Sequence, residues 1–121
     1  MLINLSNHPS PKWGRAQQEA ARILYGEVLD IAFPSVDPDG DVDYIENLAN
    51  EYVDKVCLLA GGDKTCTVHL MGELTLTFAI LKKLTKLDME CVASTSERLV
   101  KEFENGKKEV TFSFVQFRKY Q

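Results

Sequence analysis

Residues 65–87 read TCTVHLMGELTLTFAILKKLTKL, and this stretch decides the fold class. Thr65–Met71 is a short run of mainly apolar and β-branched residues, which predicts a buried strand. Gly72-Glu73 marks a turn, and the mostly apolar segment Glu73–Leu87 predicts a helix that lies against a sheet and a second element. A strand that turns directly into a helix is the repeating unit of an α/β domain.

The alternation of strand and helix continues on both sides of this unit. Further strands are predicted at Leu2–Leu5, Val28–Phe33 and Met89–Ala93. A first helix is predicted at Lys12–Tyr25, with an apolar side formed by Trp13, Ala16, Ala20, Ile23 and Leu24. A second helix ends at Gly61-Gly62, and its apolar residues recur at helical spacing: Ile45, Leu48, Ala49, Tyr52, Val53 and Val56.

The C-terminal part of the chain has a different pattern. Leu99–Phe103 and Val110–Phe117 flank Asn105-Gly106, the strongest short signal for a β-hairpin. We therefore predict one α/β domain over residues 1–121, a small Rossmann-like three-layer fold with a mostly parallel sheet and a C-terminal antiparallel β-hairpin. The strand order stays open between 2-1-3-4 and 3-2-1-4.

Polar clusters follow three of the predicted strands, where each strand ends. They consist of Ser6-Asn7-His8, Gly72-Glu73, and Ser94-Thr95-Ser96 with Arg98. The carboxyl ends of parallel strands share one edge of the sheet, and ligands bind there at the point where strand order reverses. The three clusters are therefore predicted to meet at one ligand-binding site.

Each cluster also has a purely structural interpretation. Gly72 and Glu73 suit either an anion site at a helix start or a tight turn with a favourable acidic residue. The hydroxyls and Arg98 suit phosphate oxygens, or they form a solvated connection into the hairpin. His8 is a candidate general acid or base, or a surface residue. His69 is predicted to be packed or hydrogen-bonded beside the sheet, and Trp13 to be a buried anchor rather than a stacking platform for a base.

Composition limits the partners and cofactors. The net charge of −4 argues against long duplex nucleic acid, while a small anionic ligand fits. No cofactor is predicted, since neither a dinucleotide fingerprint nor a P-loop occurs. Ser35–Glu46 matches a calcium loop in part, but an acidic loop that ends in an Asp N-cap explains it better, so no metal is predicted.

The cysteines and the apolar runs suggest where the chain resides. Cys57, Cys66 and Cys91 contain no Cys-x-x-Cys pair and are predicted to be buried, reduced thiols. No apolar run approaches a membrane span and no leader precedes the first strand, so we expect a cytoplasmic protein that does not contact membranes. A chain this short has little room for a deep pocket, which favours a homodimer whose second subunit completes the site.

Three short motifs, set in a small Rossmann-like core before a terminal hairpin, suggest a family. Asn-His-Pro at 7–9, Met-Gly-Glu at 71–73 and Ser-Thr-Ser-Glu-Arg at 94–98 resemble the compact CRISPR-associated proteins related to CARF domains, including small ring nucleases of antiviral defence. The resemblance implies a symmetric homodimer that binds a cyclic oligoadenylate across its two-fold axis. Ring opening, where it occurs in such proteins, is an attack by a ribose 2′-hydroxyl without metal.

Carried onto this chain, the resemblance assigns roles residue by residue. Arg98 would stabilise the developing negative charge, and His8 would move a proton. The ligand would be lined by Asn7, His8, Gly72, Ser94, Thr95 and Ser96, with Ser6 and Glu73 beside them. The clusters contain no lysine, and whether the ring is cleaved or only bound stays open.

Two other classes of function remain open from the residues alone. The hairpin fits a non-enzymatic interaction module that binds another subunit or protein through Phe112, Phe114, Phe117 and Tyr120. Glu73 and His8 fit a small phosphohydrolase or nucleoside-processing enzyme.

Overall fold

Five strands and three helices make up the fold in this computed structural model, which describes all 121 residues. A single 3₁₀ turn precedes the first helix at Ser10–Lys12. The helices are α1 (Arg15–Tyr25), α2 (Val42–Ala60) and α3 (Leu74–Lys86). The strands are β1 (Leu2–Ser6), β2 (Val28–Ala32), β3 (Thr67–Met71), β4 (Glu90–Glu102) and β5 (Lys108–Lys119).

The strands form one sheet in the order β2-β1-β3-β4-β5. The pairs β1–β2, β1–β3 and β3–β4 are parallel, and β4–β5 is antiparallel. The predicted α/β class, mostly parallel sheet and C-terminal hairpin are therefore confirmed. Of the two strand orders left open, the structure has 2-1-3-4.

Helices cover both faces of the sheet and give three layers. α2 and α3 pack on one face over a core of 14 buried residues that includes Ile3, Leu5, Val68 and Leu70. α1 covers the other face, where only Leu2, Trp13, Ala21 and Val92 form a buried apolar cluster. Most of the apolar stabilisation therefore lies on the side of α2 and α3.

The predicted connection at Ser94–Arg98 is wrong, because these residues are part of a strand. β4 runs without interruption from Glu90 to Glu102, but it pairs with β3 only as far as Val92. From Ala93 onward it pairs with β5 alone and projects beyond the sheet. We call residues 95–116 the arm; every residue from Ser96 to Ser113 is exposed.

The predicted apolar side of the first helix is also wrong. Ala21 is the only buried residue of α1, whereas Ile23 and Leu24 are 67% and 63% exposed. Trp13 is buried but precedes the helix. One helix covers a small strip of sheet here, so much of its surface stays in water.

Two further local predictions have different outcomes. Asp41 caps α2 by accepting a hydrogen bond from the Tyr44 backbone N–H, so the predicted Asp N-cap is confirmed. Cys66 and Cys91 are buried as predicted, but Cys57 is exposed. It lies one position beyond Val56, which occupies the buried stripe of α2.

Candidate functional site

A cavity of about 310 Å³ lies at the carboxyl ends of β1 and β3. The strand order reverses between these two strands, which is where α/β sheets bind ligands. None of the residues that line it is Asp, Glu, Lys or Arg. We call it the switch-point cavity, and it is lined by Ser6, Asn7, His8, Trp13, Gln17, His69, Met71, Gly72 and Ser94.

The structure brings parts of all three predicted clusters together in this cavity. Asn7 and His8 follow β1, Gly72 follows β3, and Ser94 lies on β4 beside the end of β3. The Ser94 hydroxyl donates to the sulfur of Met71 at 3.1 Å. The predicted meeting of strand ends is therefore found, while ligand binding by these residues stays a prediction.

Other predicted site residues do not line the cavity. Thr95 donates its hydroxyl to the carbonyl of Gln116 at 3.3 Å, within the β4–β5 pair. Ser96 and Arg98 lie on the exposed arm, and Arg98 is about 13 Å along the strand from Ser94 at the usual strand rise. Because β4 is continuous, its hydroxyls alternate between two faces instead of clustering in a loop.

Glu73 serves as the N-cap of α3. Its carboxylate accepts from the backbone N–H groups of Thr75 and Leu76 at 2.8 and 2.9 Å, and these bonds lower its pKa. The start of α3 is therefore closed by the chain's own carboxylate, as the structural interpretation of Gly72-Glu73 expected. Neither an anion site nor a general acid at Glu73 fits this arrangement.

Gly72 is required by packing against the sheet. A Cβ atom at this position would lie 2.4 Å from the ring of Phe33. The absence of a side chain therefore lets the buried Phe33 close the end of the core, next to the cavity.

A row of polar side chains crosses the α1 face of the sheet and ends at the cavity. Asp30, Asn4 and His69 are register partners on β2, β1 and β3. The Asn4 amide nitrogen donates to Asp30 Oδ1 at 2.8 Å, and Asn4 Oδ1 lies 2.8 Å from His69 Nδ1. The row runs inward from an exposed carboxylate to an imidazole that is 2% exposed.

The hydrogen bonds of Asn4 fix the protonation of His69. The Asn4 amide donates its second hydrogen to the carbonyl of His8 at 2.9 Å, so Oδ1 must face the imidazole. An amide oxygen only accepts, which assigns the ring proton to Nδ1 and leaves Nε2 as an acceptor. Nε2 is buried and has no hydrogen-bond partner in the protein.

Burial keeps His69 neutral. The ring packs in edge-on contact with Trp13 and Phe117, at centroid distances of 5.3 and 5.6 Å. Desolvation lowers the pKa of His69 to about 4, because the charged ring would lose its water without gaining a counter-ion. The prediction that His69 is packed and hydrogen-bonded beside the sheet is confirmed.

The outer end of the row is tied to the turn that precedes α1. Asp30 accepts from the backbone N–H and the hydroxyl of Ser10 at 2.8 and 2.6 Å. Partial burial opposes ionisation, but the hydrogen bonds from Ser10 and Asn4 prevail and lower the pKa of Asp30. The carboxylate therefore fixes the turn against β2.

The carbonyl of His8 is the second junction of this network. It accepts from Asn4, from the Ser6 hydroxyl at 3.1 Å and from the Trp13 indole at 2.9 Å. The segment after β1 is thus held in place by its backbone, which leaves the exposed His8 side chain free to face the cavity. Trp13 is a buried anchor of this segment, as predicted.

α1 differs from the other helices in its first turn. Asp41 and Glu73 cap α2 and α3, but no side chain caps α1, whose N-cap is Gly14. Gln17, in that first turn, lines the cavity. Unsatisfied N–H groups and the positive end of the helix dipole therefore lie at its edge.

A larger cavity, of about 630 Å³, lies between α2 and α3, and no strand residue lines it. Phe78 contributes to it, together with Lys82, Lys83 and Lys86. Two of these lysines belong to the last turn of α3, where cations complement the helix dipole, and Lys83 forms an ion pair with Glu46. We assign the functional site to the switch-point cavity, because a buried polar network borders it and no such network borders the cavity between α2 and α3.

No group of three or more His, Cys, Asp or Glu side chains is placed to hold a metal ion. No helix combines the length and the apolar character that a membrane span requires.

Sequence reasoning missed Asn4, the centre of the polar row. Its signal was available, since Asn4 is the one strongly polar residue inside the apolar run LINL. An amide buried in a central strand must find hydrogen-bond partners, so such a residue indicates a network.

One comparison with known proteins found a match. The model of a family described as Uncharacterized protein MJ1673 family matches residues 1–118. No curated protein and no solved structure matches the chain.

Proposed function

The chain belongs to the Uncharacterized protein MJ1673 family, and from its switch-point cavity we propose that it binds a nucleotide, namely a cyclic oligoadenylate. One observation carries the proposal: an uncharged polar cavity lies where the strand order reverses, and a buried histidine with an unused acceptor borders it. Such a cavity suits the base and ribose of a nucleotide better than its phosphates.

The lining provides hydrogen-bond partners for a nucleoside. Asn7, Gln17 and Ser94 can each donate and accept. Nε2 of His69 only accepts, so it suits a ligand N–H or O–H group at the inner end of the cavity. Adenine carries an exocyclic amine and ribose carries hydroxyls, and both supply such a donor.

The phosphates would lie at the rim, at the start of α1. Free backbone N–H groups and the helix dipole favour an anion there. Lys12 precedes this start and Arg15 is the first residue of the helix, so two cations are close in sequence. The rest of the chain carries excess negative charge, so the attraction is local.

The proposal is for binding, and turnover is a separate outcome. His8 is the one exposed imidazole in the lining, so it is the candidate for proton transfer. Arg98, expected to stabilise the transition state, lies on the arm of the same protomer and away from the cavity. Ring opening by a 2′-hydroxyl would therefore depend on orientation of the ligand and on His8.

Calorimetric titration with cyclic tri-, tetra- and hexa-adenylate, in a chelator, tests the proposal. We expect saturable binding of at least one ring by the wild-type protein. Ser94→Phe should fill the cavity and weaken binding about tenfold or more, an effect of about 1.4 kcal/mol or above. Absence of binding by the wild type for every ring would overturn the proposal.

Ser96→Phe is the matched control, because Ser96 lies on the same face of β4 but outside the cavity. It should bind like the wild type; equal loss in both variants would place the ligand on the arm instead. Chromatography of the same samples detects linear products, and His8→Ala should abolish them while binding persists.

A further inference from the structure

The arm leaves one long edge of β4 without a partner. β3 ends at Met71, whose sulfur accepts a hydrogen bond from the backbone N–H of Ser94. From about Ser96 onward, β4 therefore has no strand partner on this side. Its exposed part is Ser96–Glu102, with β5 on the opposite side. An isolated two-stranded ribbon is marginal in water, and three or more strands are needed for independent stability.

The two edges of the arm differ in their protection. On β5, a bulge at Val115 interrupts the pairing with β4, and Lys108, Arg118 and Lys119 lie near the strand ends. Bulges and basic residues are the usual means of keeping an edge strand unpaired. The segment Ser96–Glu102 contains neither a proline nor a bulge, and its charged side chains are mixed in sign, so the inner edge of β4 is open to pairing.

We propose that Ser96–Glu102 pairs antiparallel with the same segment of a second copy, with the two-fold axis at Leu99. The midpoint of the exposed segment is Leu99, so only this register pairs its full length. The sheet would then continue through both arms as β5-β4-β4-β5. A second copy is the natural occupant because an antiparallel strand pair is self-complementary about a two-fold axis.

The charges of the segment are compatible with this register. A two-fold axis perpendicular to the sheet keeps each side chain on its own face, so residues pair with residues of the same parity. An axis at Glu97 or Arg98 would place two like charges directly opposite each other, which is unfavourable. An axis at Leu99 places Glu97 opposite Lys101 of the second copy, twice.

These charges have no ion-pair partner within the protomer. The ion pairs of the arm region are Glu102–Lys108 and Glu90–Lys119. Glu97 and Arg98 form none, and Lys101 lies over the ring of Phe103. Pairing across the axis would also place Arg98 beside Val100 of the second copy, where its aliphatic stem can cover an exposed apolar side chain.

This dimer differs from the one that the resemblance implies. Ser94 lies five residues from Leu99, so the two cavities would open about 33 Å apart along the paired strands. Each cavity would then bind its own ligand, bordered by the tip of the other copy's arm. Only this statement on the ligand rests on the proposed function; the strand pairing does not.

Sedimentation velocity over a range of concentrations tests the pairing without any ligand. We expect a wild-type dimer that Glu97→Lys or Lys101→Glu weakens about tenfold or more, since each places like charges opposite each other twice. The double variant restores opposite charges and should dimerise like the wild type. Thr111→Lys, on the same face but on β5, is the matched control and should leave the dimer intact.

A cross-link gives a second test in the intact fold. In a Cys57→Ser background, Leu99→Cys should form an intermolecular disulfide on mild oxidation, and Thr111→Cys should not. A wild-type monomer at all concentrations, or a dimer unaffected by the charge variants and not linked by Leu99→Cys, would overturn the proposal. In calorimetry, two rings per dimer are expected; one ring per dimer would overturn the placement of the axis.

Discussion

The two faces of the sheet are built from alternate residues of the same strands, yet they differ in character. Towards α2 and α3, β1 and β3 present Ile3, Leu5, Val68 and Leu70, none of which is exposed. Towards α1, the same strands present Asn4, Ser6, Thr67 and His69, which are also buried. One face therefore provides most of the apolar stabilisation, and the other holds a hydrogen-bonded network beside the cavity.

The comparison shows how a small domain accommodates a polar site. Burying polar groups without partners costs free energy, but the network on the α1 face satisfies Asn4 at both its oxygen and its nitrogen. Among the buried side-chain nitrogen and oxygen atoms, only Nε2 of His69 and the Thr77 hydroxyl have no hydrogen-bond partner. The apolar face compensates for this arrangement, and four predictions test the contrast.

The largest effect is expected on the apolar face. Leu70→Ala removes a fully buried side chain and leaves a cavity in the main core, so it should lower the free energy of unfolding by about 4 kcal/mol. Urea unfolding followed by circular dichroism measures it. A loss below about 1 kcal/mol would mean that the core on this side collapses freely around the cavity.

The next effect is a pH dependence that His69 imposes. Its pKa is about 4 in the folded state and 6.5 in the unfolded state, so the unfolded state binds the proton more readily. Burial of the neutral ring therefore makes the free energy of unfolding depend on pH. The free energy of unfolding has its full value above pH 6.5 and falls by about 3 kcal/mol as the pH drops from 6.5 to 4. Unfolding of the wild type and His69→Gln across this window measures it, and parallel curves would contradict it.

Asn4→Ala should be less costly than either. It leaves the buried Nδ1–H of His69 without an acceptor, while the exposed Asp30 regains water, so we expect a loss of about 2 kcal/mol. Ser10→Ala breaks only the exposed outer end of the row and should cost well under half as much in the same urea titration. Equal losses would show that the row acts through Asp30 rather than through His69.

The smallest effect is expected for Glu73, and its test distinguishes a helix cap from a ligand-binding residue. Glu73→Ala removes the N-cap of α3 and should cost about 1 kcal/mol of stability. Binding of cyclic tetra-adenylate should be unchanged, because Glu73 does not line the cavity. Weakened binding with unchanged stability would reverse this assignment.

The elements of the fold were predictable because their signals are local and periodic. Helical spacing indicated α2, and strand–turn–helix chemistry indicated the β3–α3 unit within a few residues of its bounds. The error at Ser94–Arg98 arose because dense hydroxyls suggest a loop, whereas threonine and alternating polarity also suit an exposed strand.

The candidate site was predictable in place but not in composition. Strand ends located Asn7, Gly72 and Ser94, since their positions follow from the chain direction of a parallel sheet. The Asp30–Asn4–His69 row depends on the register between three strands far apart in sequence, and no local pattern contains that register. Which hydroxyls of β4 reach the cavity depends on where β3 ends, which is equally non-local.

Because β4 runs without interruption through the sheet and the arm, the length of the arm can vary among relatives only in certain steps. Successive side chains of a strand point to opposite faces, so one inserted residue in Ser96–Glu102 would reverse every side chain beyond it, in the absence of a compensating bulge. Matched insertions of two residues on both strands would preserve the faces and lengthen the arm by about 7 Å. Relatives should therefore have arms that differ in steps of four residues in total, with the asparagine–glycine turn carried outward at each step.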